Sequence, residues 1–178
     1  MRLAFALNAL DIAVSGDGFF QILQPDGTVA YTRDGSFKLS PTGQLITSVG
    51  ALLQPTIQVP NNAQSITIGA DGVVSAKIFG TAEQQVLGNL QLARFINPAG
   101  LESIGQNLLR ANAASGPVQQ LKPGTNGAGQ LVQGALEASN VNVVEEMVNM
   151  IETQRAYEIN SKAISAADQM LKFINTNM

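Results

Sequence analysis

The chain has 178 residues, with 10 Lys and Arg against 13 Asp and Glu, and it contains no His, Cys or Trp. Without His and Cys, the usual zinc and haem ligands, the catalytic triads and the disulfides are all excluded. The net charge of −3 comes without the basic cluster that nucleic-acid binding requires. No stretch approaches the roughly 20 apolar residues of a membrane span. We therefore expect no nucleic-acid partner and no membrane insertion.

The composition predicts an aliphatic core and a surface that is poor in charge. Aromatic residues make up only 5% of the chain, so we expect a core of Val, Ile, Leu and Ala. Charged residues make up 13%, which is about half the usual share in a globular protein. Such a surface is typical of a protein that touches neighbours over much of its area.

Residues 1–112 are predicted to form a β-rich domain. Short runs of β-branched and aromatic residues alternate with turn dipeptides, namely Asp17-Gly18, Asp26-Gly27, Asp34-Gly35, Thr42-Gly43 and Asp71-Gly72. Glycine supplies the positive φ that tight hairpin turns require. Turns at this regular, short spacing predict a meander or barrel-like sheet. The run Val86–Phe95 is predicted to add one more strand.

Residues 113–140 are predicted to be a Gly/Pro-rich connector with one short strand. The segment Gly124–Gly129 matches neither common phosphate-binding pattern, and no helix pattern follows it directly. Such a cluster of turn formers favours a flexible connector. Apolar and polar residues then alternate from Leu131 to Glu137, which predicts the strand.

Residues 141–178 are predicted to form one long helix. Asn142, or Ser139-Asn140 before it, can cap the helix start, and Glu145 and Glu146 lie where the helix dipole favours acids. No Pro or Gly follows. At 1.5 Å per residue the helix spans roughly 55 Å, which is more than the width of a domain of this size.

This predicted helix has two apolar faces. Met150, Tyr157, Ile164 and Leu171 recur every seven residues on one face. A second group falls on broadly the opposite side, namely Ile159, Ala163, Ala166, Met170 and Phe173. The chain offers no other long helix to cover either face. We therefore expect these nine residues to pack between subunits.

Nothing in the sequence supports catalysis. Asp17, Asp26, Asp34 and Asp71 each precede a glycine, and the simplest interpretation is that their carboxylates bond the local backbone in turns. We expect no catalytic residue, no cofactor site and no metal site.

Several segments resemble the flagellar rod and hook family. They are residues 16–22 (GDGFFQI), 31–37 (YTRDGSF), 100–108 (GLESIGQNL) and, most specifically, 139–163 (SNVNVVEEMVNMIETQRAYEINSKA). The resemblance runs in colinear order from about Asn8 to near the C-terminus.

The resemblance implies a non-enzymatic, self-assembling subunit of the flagellar basal body, best matched to the distal rod, the drive shaft that carries torque from motor to hook. Expected partners are further copies in a helical rod, other rod and hook proteins, and the ring bushing components. Family members are exported by the type III apparatus without a cleaved signal peptide. Their terminal helices form a coiled-coil inner tube, here residues 141–178, beneath a β-rich outer layer.

Two alternatives and one departure accompany this expectation. A proximal rod or hook subunit shares the same motifs, and a secreted β-sheet module that binds a glycan or a protein is a more distant alternative. Family chains begin with a long N-terminal helix. Here the β-rich segment starts close to Met1, so we expect that N-terminal helical region to be missing.

Overall fold

The computed structural model describes residues 2–6, 8–81, 83–138 and 142–176, and it leaves undescribed the side-chain surroundings of residues 2, 3, 168, 171 and 173–176. Contacts divide the chain into two units, Met1–Ala138 and Ser139–Met178. The first is the β unit. The second contains one helix, α1, Val143–Thr176.

The described part of the β unit contains sixteen strands and one short 3₁₀ turn at Pro98–Gly100. In chain order the strands are β1 Arg2–Phe5, β2 Ile12–Ser15, β3 Phe20–Leu23, β4 Val29–Thr32, β5 Lys38–Leu39, β6 Leu45–Ile46, β7 Leu52–Gln54, β8 Ala63–Ile68, β9 Val73–Ile78, β10 Gln84–Asn89, β11 Leu92–Arg94, β12 Glu102–Gly105, β13 Leu108–Arg110, β14 Gln119–Leu121, β15 Gln130–Gln133 and β16 Ala135–Ala138.

The largest sheet has seven strands in the order β12-β13-β4-β3-β7-β6-β5, and it curls into a half-barrel. A three-stranded sheet has the order β10-β9-β8, and three further pairs are β1-β16, β11-β14 and β15-β2. The predicted class, mainly β with a long C-terminal helix, is therefore confirmed. The connectivity is more complex than a meander, because β3 pairs with both β4 and β7.

The core of the β unit uses more aromatic side chains than the composition suggested. Phe20 and Phe37 are its two largest fully buried side chains, and their rings meet edge to face with centroids 5.0 Å apart. A second cluster contains Phe19, Tyr31 and Phe95. Edge-to-face contacts of this kind stabilise beyond the area they bury. The expected core of Val, Ile, Leu and Ala is therefore present, and aromatic side chains add to it.

Strands from the two ends of the β unit pair with each other. β1 pairs with β16, and β2 with β15, all antiparallel. The Arg33 guanidinium reinforces this closure, because it contacts the Glu137 carboxylate at 2.8 Å and donates to the carbonyl oxygen of Gly16 at 3.0 Å. The last strand of the β unit, β16, is thus held beside the first one.

The segment 113–138 departs from the prediction of a connector. It contains β14, β15 and β16, which pair with β11, β2 and β1, and contacts place it in the β unit. Gly134, with φ +71°, separates β15 from β16 where one strand was predicted. The loop before β15 is hydrogen-bonded rather than loose, with Gly124 N–H donating to the Gly129 carbonyl at 2.9 Å. The predicted boundary at residue 112 is not the point at which contacts divide the chain.

The run from Val86 to Phe95 also differs from the single strand predicted there. It spans two strands, β10 and β11, which belong to different sheets. Between them, the Leu90 N–H donates to the Gly72 carbonyl at 2.7 Å, and the Leu90 side chain is buried. Leu90 and Leu92 belong to the main core cluster and Ala93 and Phe95 to the second cluster, whereas Val86 is exposed.

Two Asp-Gly turns need their glycine for different physical reasons. Gly27 has φ +82° and open space around it, so only its backbone conformation disfavours a side chain. Gly35 lacks a positive φ, but a Cβ there would overlap the carbonyl oxygen of Ile12. The Gly35 carbonyl also accepts a hydrogen bond from Ile12 N–H at 3.0 Å.

The different surroundings of the two glycines predict that the same Gly→Ala substitution lowers the free energy of unfolding by different amounts. Gly27→Ala should lower the free energy of unfolding by about 1–2 kcal/mol, the cost of a left-handed residue. Gly35→Ala should lower it by about 3 kcal/mol or more, because two backbone segments must separate. Urea unfolding measures both losses when it is followed by tyrosine absorbance or fluorescence in a Tyr157→Phe background, in which Tyr31 is the remaining tyrosine. Equal losses would contradict the close approach of Gly35 to Ile12.

Candidate assembly surface

Helix α1 begins where the sequence predicted a cap. The Asn142 side-chain oxygen accepts from Val144 N–H at 3.2 Å, and the Asn142 carbonyl accepts from Glu146 N–H at 3.0 Å. Glu145 and Glu146 occupy the first turn, where acids stabilise the helix dipole. The capping role predicted for Asn142 is confirmed, whereas Ser139 and Asn140 lie outside the described residues.

The predicted packing residues of α1 are exposed wherever their side chains are described. Met150, Tyr157, Ile159, Ile164 and Met170 are between 61% and 77% exposed. Ala163 and Ala166 are exposed as well, and the side chains of Leu171 and Phe173 lie outside the described set. Within this chain, therefore, the described members of both predicted faces remain open to water.

The exposed apolar surface also extends further toward the helix start than the sequence analysis predicted. Five more large apolar side chains in the first part of α1 are at least 49% exposed, namely Val143, Val144, Met147, Val148 and Ile151. At 100° per residue, Val143 and Met147 continue the face of Met150, and Val144 and Val148 lie toward the opposite face. The same helical-wheel calculation, carried back to residue 143, would have found them.

Two hydroxyl groups on the helix already have partners in the helix backbone. Thr153 Oγ1 donates to the Asn149 carbonyl at 2.8 Å, and Ser165 Oγ donates to the Ser161 carbonyl at 2.9 Å. A hydroxyl bonded in this way does not need water. Contact with another apolar surface would leave neither donor unsatisfied.

The exposed apolar surface of α1 is extensive. Burying one Val, Leu, Ile or Met side chain contributes about 1.5–3 kcal/mol, and ten such or larger apolar side chains are exposed on α1. An isolated helix also draws little stability from its own hydrogen bonds. In the part of the chain that the structure describes, no helix has the length and apolarity to cross a bilayer.

Two acids in turns of the β unit bond the local backbone. The Asp26 carboxylate accepts from Thr28 N–H and Oγ1 at 2.9 and 2.7 Å, and Asp34 accepts from Ser36 N–H at 3.0 Å. The bonds from Thr28 hold the pKa of Asp26 below its ordinary value. The turn role predicted for these two acids is confirmed. Among the described residues, no group of three or more His, Cys, Asp or Glu side chains is arranged to hold a metal.

Asp71 is also a turn acid, and it has an ion-pair partner. Its carboxylate accepts from Val73 N–H at 3.3 Å and lies 3.1 Å from Lys122 Nζ. The hydrogen bond and charge of Lys122, together with the Val73 N–H, lower the pKa of Asp71. The pair joins the β8–β9 turn to the loop before β15. Asp17 contributes its backbone carbonyl, which accepts from Gly129 N–H at 2.6 Å.

Lys122→Met should raise the pKa of Asp71 toward its ordinary value of 3.8. Because the pKa is lowered in the folded state, the ion pair stabilises the fold at neutral pH, and this contribution is lost as the pH falls through the folded-state pKa. An NMR titration of the Asp side chains measures the change. Asp26 is the internal control, since its pKa depends on Thr28 and should not move; an unchanged Asp71 would contradict the ion pair.

Comparison with known proteins gives the same family for both units. Residues 13–76 match the model described as flagellar hook protein FlgE/F/G D1 domain, and residues 132–177 match flagellar basal body rod FlgEFG protein C-terminal. The first match lies within the β unit. The second runs from β15 to the end of α1, so it includes the entire exposed apolar surface.

Curated relatives agree with these models. A flagellar basal-body rod protein FlgG of Buchnera aphidicola is 54% identical over 91% of this chain and 62% of its own length. FlgG of Borreliella burgdorferi is 53% identical over 93% of this chain and 63% of its own. The basal-body rod protein FlgF of Escherichia coli is 34% identical over 94% of this chain and 67% of its own.

The chain thus spans somewhat more than three-fifths of the length of the FlgG relatives that it matches. The matches nevertheless cover residues of both the β unit and the helix. On this evidence the chain belongs to the flagellar basal-body rod and hook family.

Proposed function

We propose that this protein is a structural subunit of the distal rod of the bacterial flagellar basal body, which assembles helically into the shaft that carries torque from motor to hook. The observation that carries the proposal is the exposure of ten large apolar side chains on α1. A surface of this kind calls for a partner. The FlgG relatives, at 54% and 53% identity, are named as rod proteins, and the FlgF relative is less similar at 34%.

The proposed packing surface consists of the two faces of α1. Its members are Met150, Tyr157, Ile159, Ala163, Ile164, Ala166, Met170, Leu171 and Phe173. Two faces on broadly opposite sides of a helix contact two different neighbours. Such contacts between unlike patches do not close on themselves in a dimer, and they continue as a ring or a helical filament. The helix would then form part of an inner tube, with the β unit in the outer layer.

The low charge of the chain supports this role. Only 13% of its residues are charged, and a face that is buried by neighbours is depleted of charge at its centre. The subunit acts by mechanical assembly, without enzymatic activity or a cofactor. Its proposed partners are further copies of itself, other rod and hook proteins and the surrounding ring components. Its proposed location is the rod in the periplasm, reached through flagellar export without a cleaved signal peptide.

The proposal predicts that a single charge on either face of α1 blocks assembly. Ile159→Asp and Ile164→Asp each remove about 1.5–3 kcal/mol of apolar burial per subunit. Since about 1.4 kcal/mol is a tenfold change in an equilibrium constant, each should raise the concentration needed for assembly by about tenfold or more. Sedimentation velocity over a concentration series, with electron microscopy of the pellets, measures this effect.

A matched control separates this effect from a loss of helix or fold. Gln169→Asp introduces the same side chain into the polar wedge of the same helix, and it should assemble as the unmodified chain does. Unfolding of the β unit in urea should be unchanged in all three variants. Normal assembly of both isoleucine variants would contradict the proposed packing surface.

A further inference from the structure

Strand β8 is an edge strand, and part of its backbone faces away from its sheet. In the three-stranded sheet, β8 pairs only with β9. Gly69 N–H donates to the Val73 carbonyl at 2.8 Å, and Thr67 is the register partner of Ser75. Backbone groups alternate sides along an antiparallel strand. The N–H and C=O groups of Ile66 and Ile68 therefore point outward.

The side chain of Gln133 occupies part of this outward edge in the manner of a neighbouring strand. Its Nε2 donates to the Ile66 carbonyl at 2.9 Å, and its Oε1 accepts from Ile68 N–H at 3.0 Å. The side-chain amide of Gln133 thus occupies one backbone donor and one backbone acceptor of β8 that a neighbouring strand would otherwise bond. Within the part of the chain that the structure describes, Ile66 N–H has no hydrogen-bond partner, so the edge remains open beyond Gln133.

A groove lined by both apolar and polar side chains lies along the open part of the edge. Its volume is about 410 Å³, and its lining includes Leu10, Leu39, Val59, Gln64 and Ile66. Pockets that bind ligands in proteins measure about 300–1,000 Å³. The groove therefore combines space for an apolar side chain with backbone groups that can hold an extended segment.

Strand β1 offers a complementary edge on the same chain. Ala6 N–H donates to the Gly134 carbonyl at 2.8 Å, which makes the even-numbered residues of β1 face β16. The backbone groups of Leu3 and Phe5 therefore point away from β16. The Phe5 side chain is 100% exposed, although a large aromatic side chain gains much by burial.

We propose that β1 of one copy adds to the open edge of β8 in a second copy and places Phe5 in the groove. Strand addition supplies backbone hydrogen bonds, and the groove selects the side chain. The two surfaces are different patches of one molecule, so the contact is heterologous and continues from copy to copy rather than closing in a dimer. This contact joins β units directly and does not depend on α1.

Site-directed cross-linking tests the contact, because the native chain contains no Cys. The full-length Ala4→Cys variant, which keeps Phe5, is mixed with Gln64→Cys and treated with a short bis-maleimide. We expect the cross-linked heterodimer to form at least tenfold faster than in a control mixture of Ala4→Cys with Ser103→Cys, an exposed position on β12 in a different sheet. Intact mass spectrometry identifies the heterodimer.

Two further variants test whether faster cross-linking at Gln64→Cys requires Phe5 and whether it depends on packing through α1. Adding Phe5→Ala to the Ala4→Cys chain should reduce the cross-linking rate to that of the Ser103→Cys control. Placing Ile164→Asp in both chains removes packing through α1 and should leave the preference intact. Equal cross-linking rates for Gln64→Cys and the control would overturn the inference. So would faster cross-linking at Gln64→Cys that persists with Phe5→Ala, or that is lost with Ile164→Asp. Helix packing would be unaffected by that result, since it is tested by assembly alone.

Discussion

The exposed apolar surface of α1 is the feature on which the proposed function depends. A helix of 34 residues is about 51 Å long, and along it both predicted faces are exposed wherever their side chains are described. Each of these side chains gains about 1.5–3 kcal/mol when it leaves water, whereas the helix draws only marginal stability from its own backbone. The proposed assembly through α1 would therefore both bury this surface and stabilise the helix.

The β unit differs from α1, because its apolar core is buried within the unit itself. Phe20, Phe37 and the aliphatic side chains around them are buried, and the terminal strand pairs β1-β16 and β2-β15 hold the two ends of the unit together. Arg33 adds an ion pair and carbonyl contacts to the same region. A closed unit of this kind keeps its shape whether or not neighbours are present, which suits a building block.

The sequence predicted local features well and long-range pairing poorly. The Asn142 cap, the long helix and the turn roles of Asp26 and Asp34 depend on residues that are close together in the chain, so spacing alone indicated them. Strands β15 and β16 find partners more than 100 residues earlier in the chain, such as Val132 with Ala13, and no local sequence pattern indicates such a pairing. Gly134 was missed for a related reason, since alternation continues across it while the backbone turns. The α1 residues that we propose to pack between subunits are indicated by periodicity, and the exposed side chains of Val143, Val144, Met147, Val148 and Ile151 extend the apolar surface toward the helix start.

Hydrogen exchange of the α1 amides tests the central claim most directly. Mass spectrometry would follow residues 143–176 in a dilute sample verified as monomeric by sedimentation and in the assembled polymer. Burial between subunits predicts fast exchange in the monomer and strong protection in the polymer, while the core strands of the β unit stay protected in both. Strong protection of α1 in the verified monomer, or none in the polymer, would contradict the claim that other chains bury this helix.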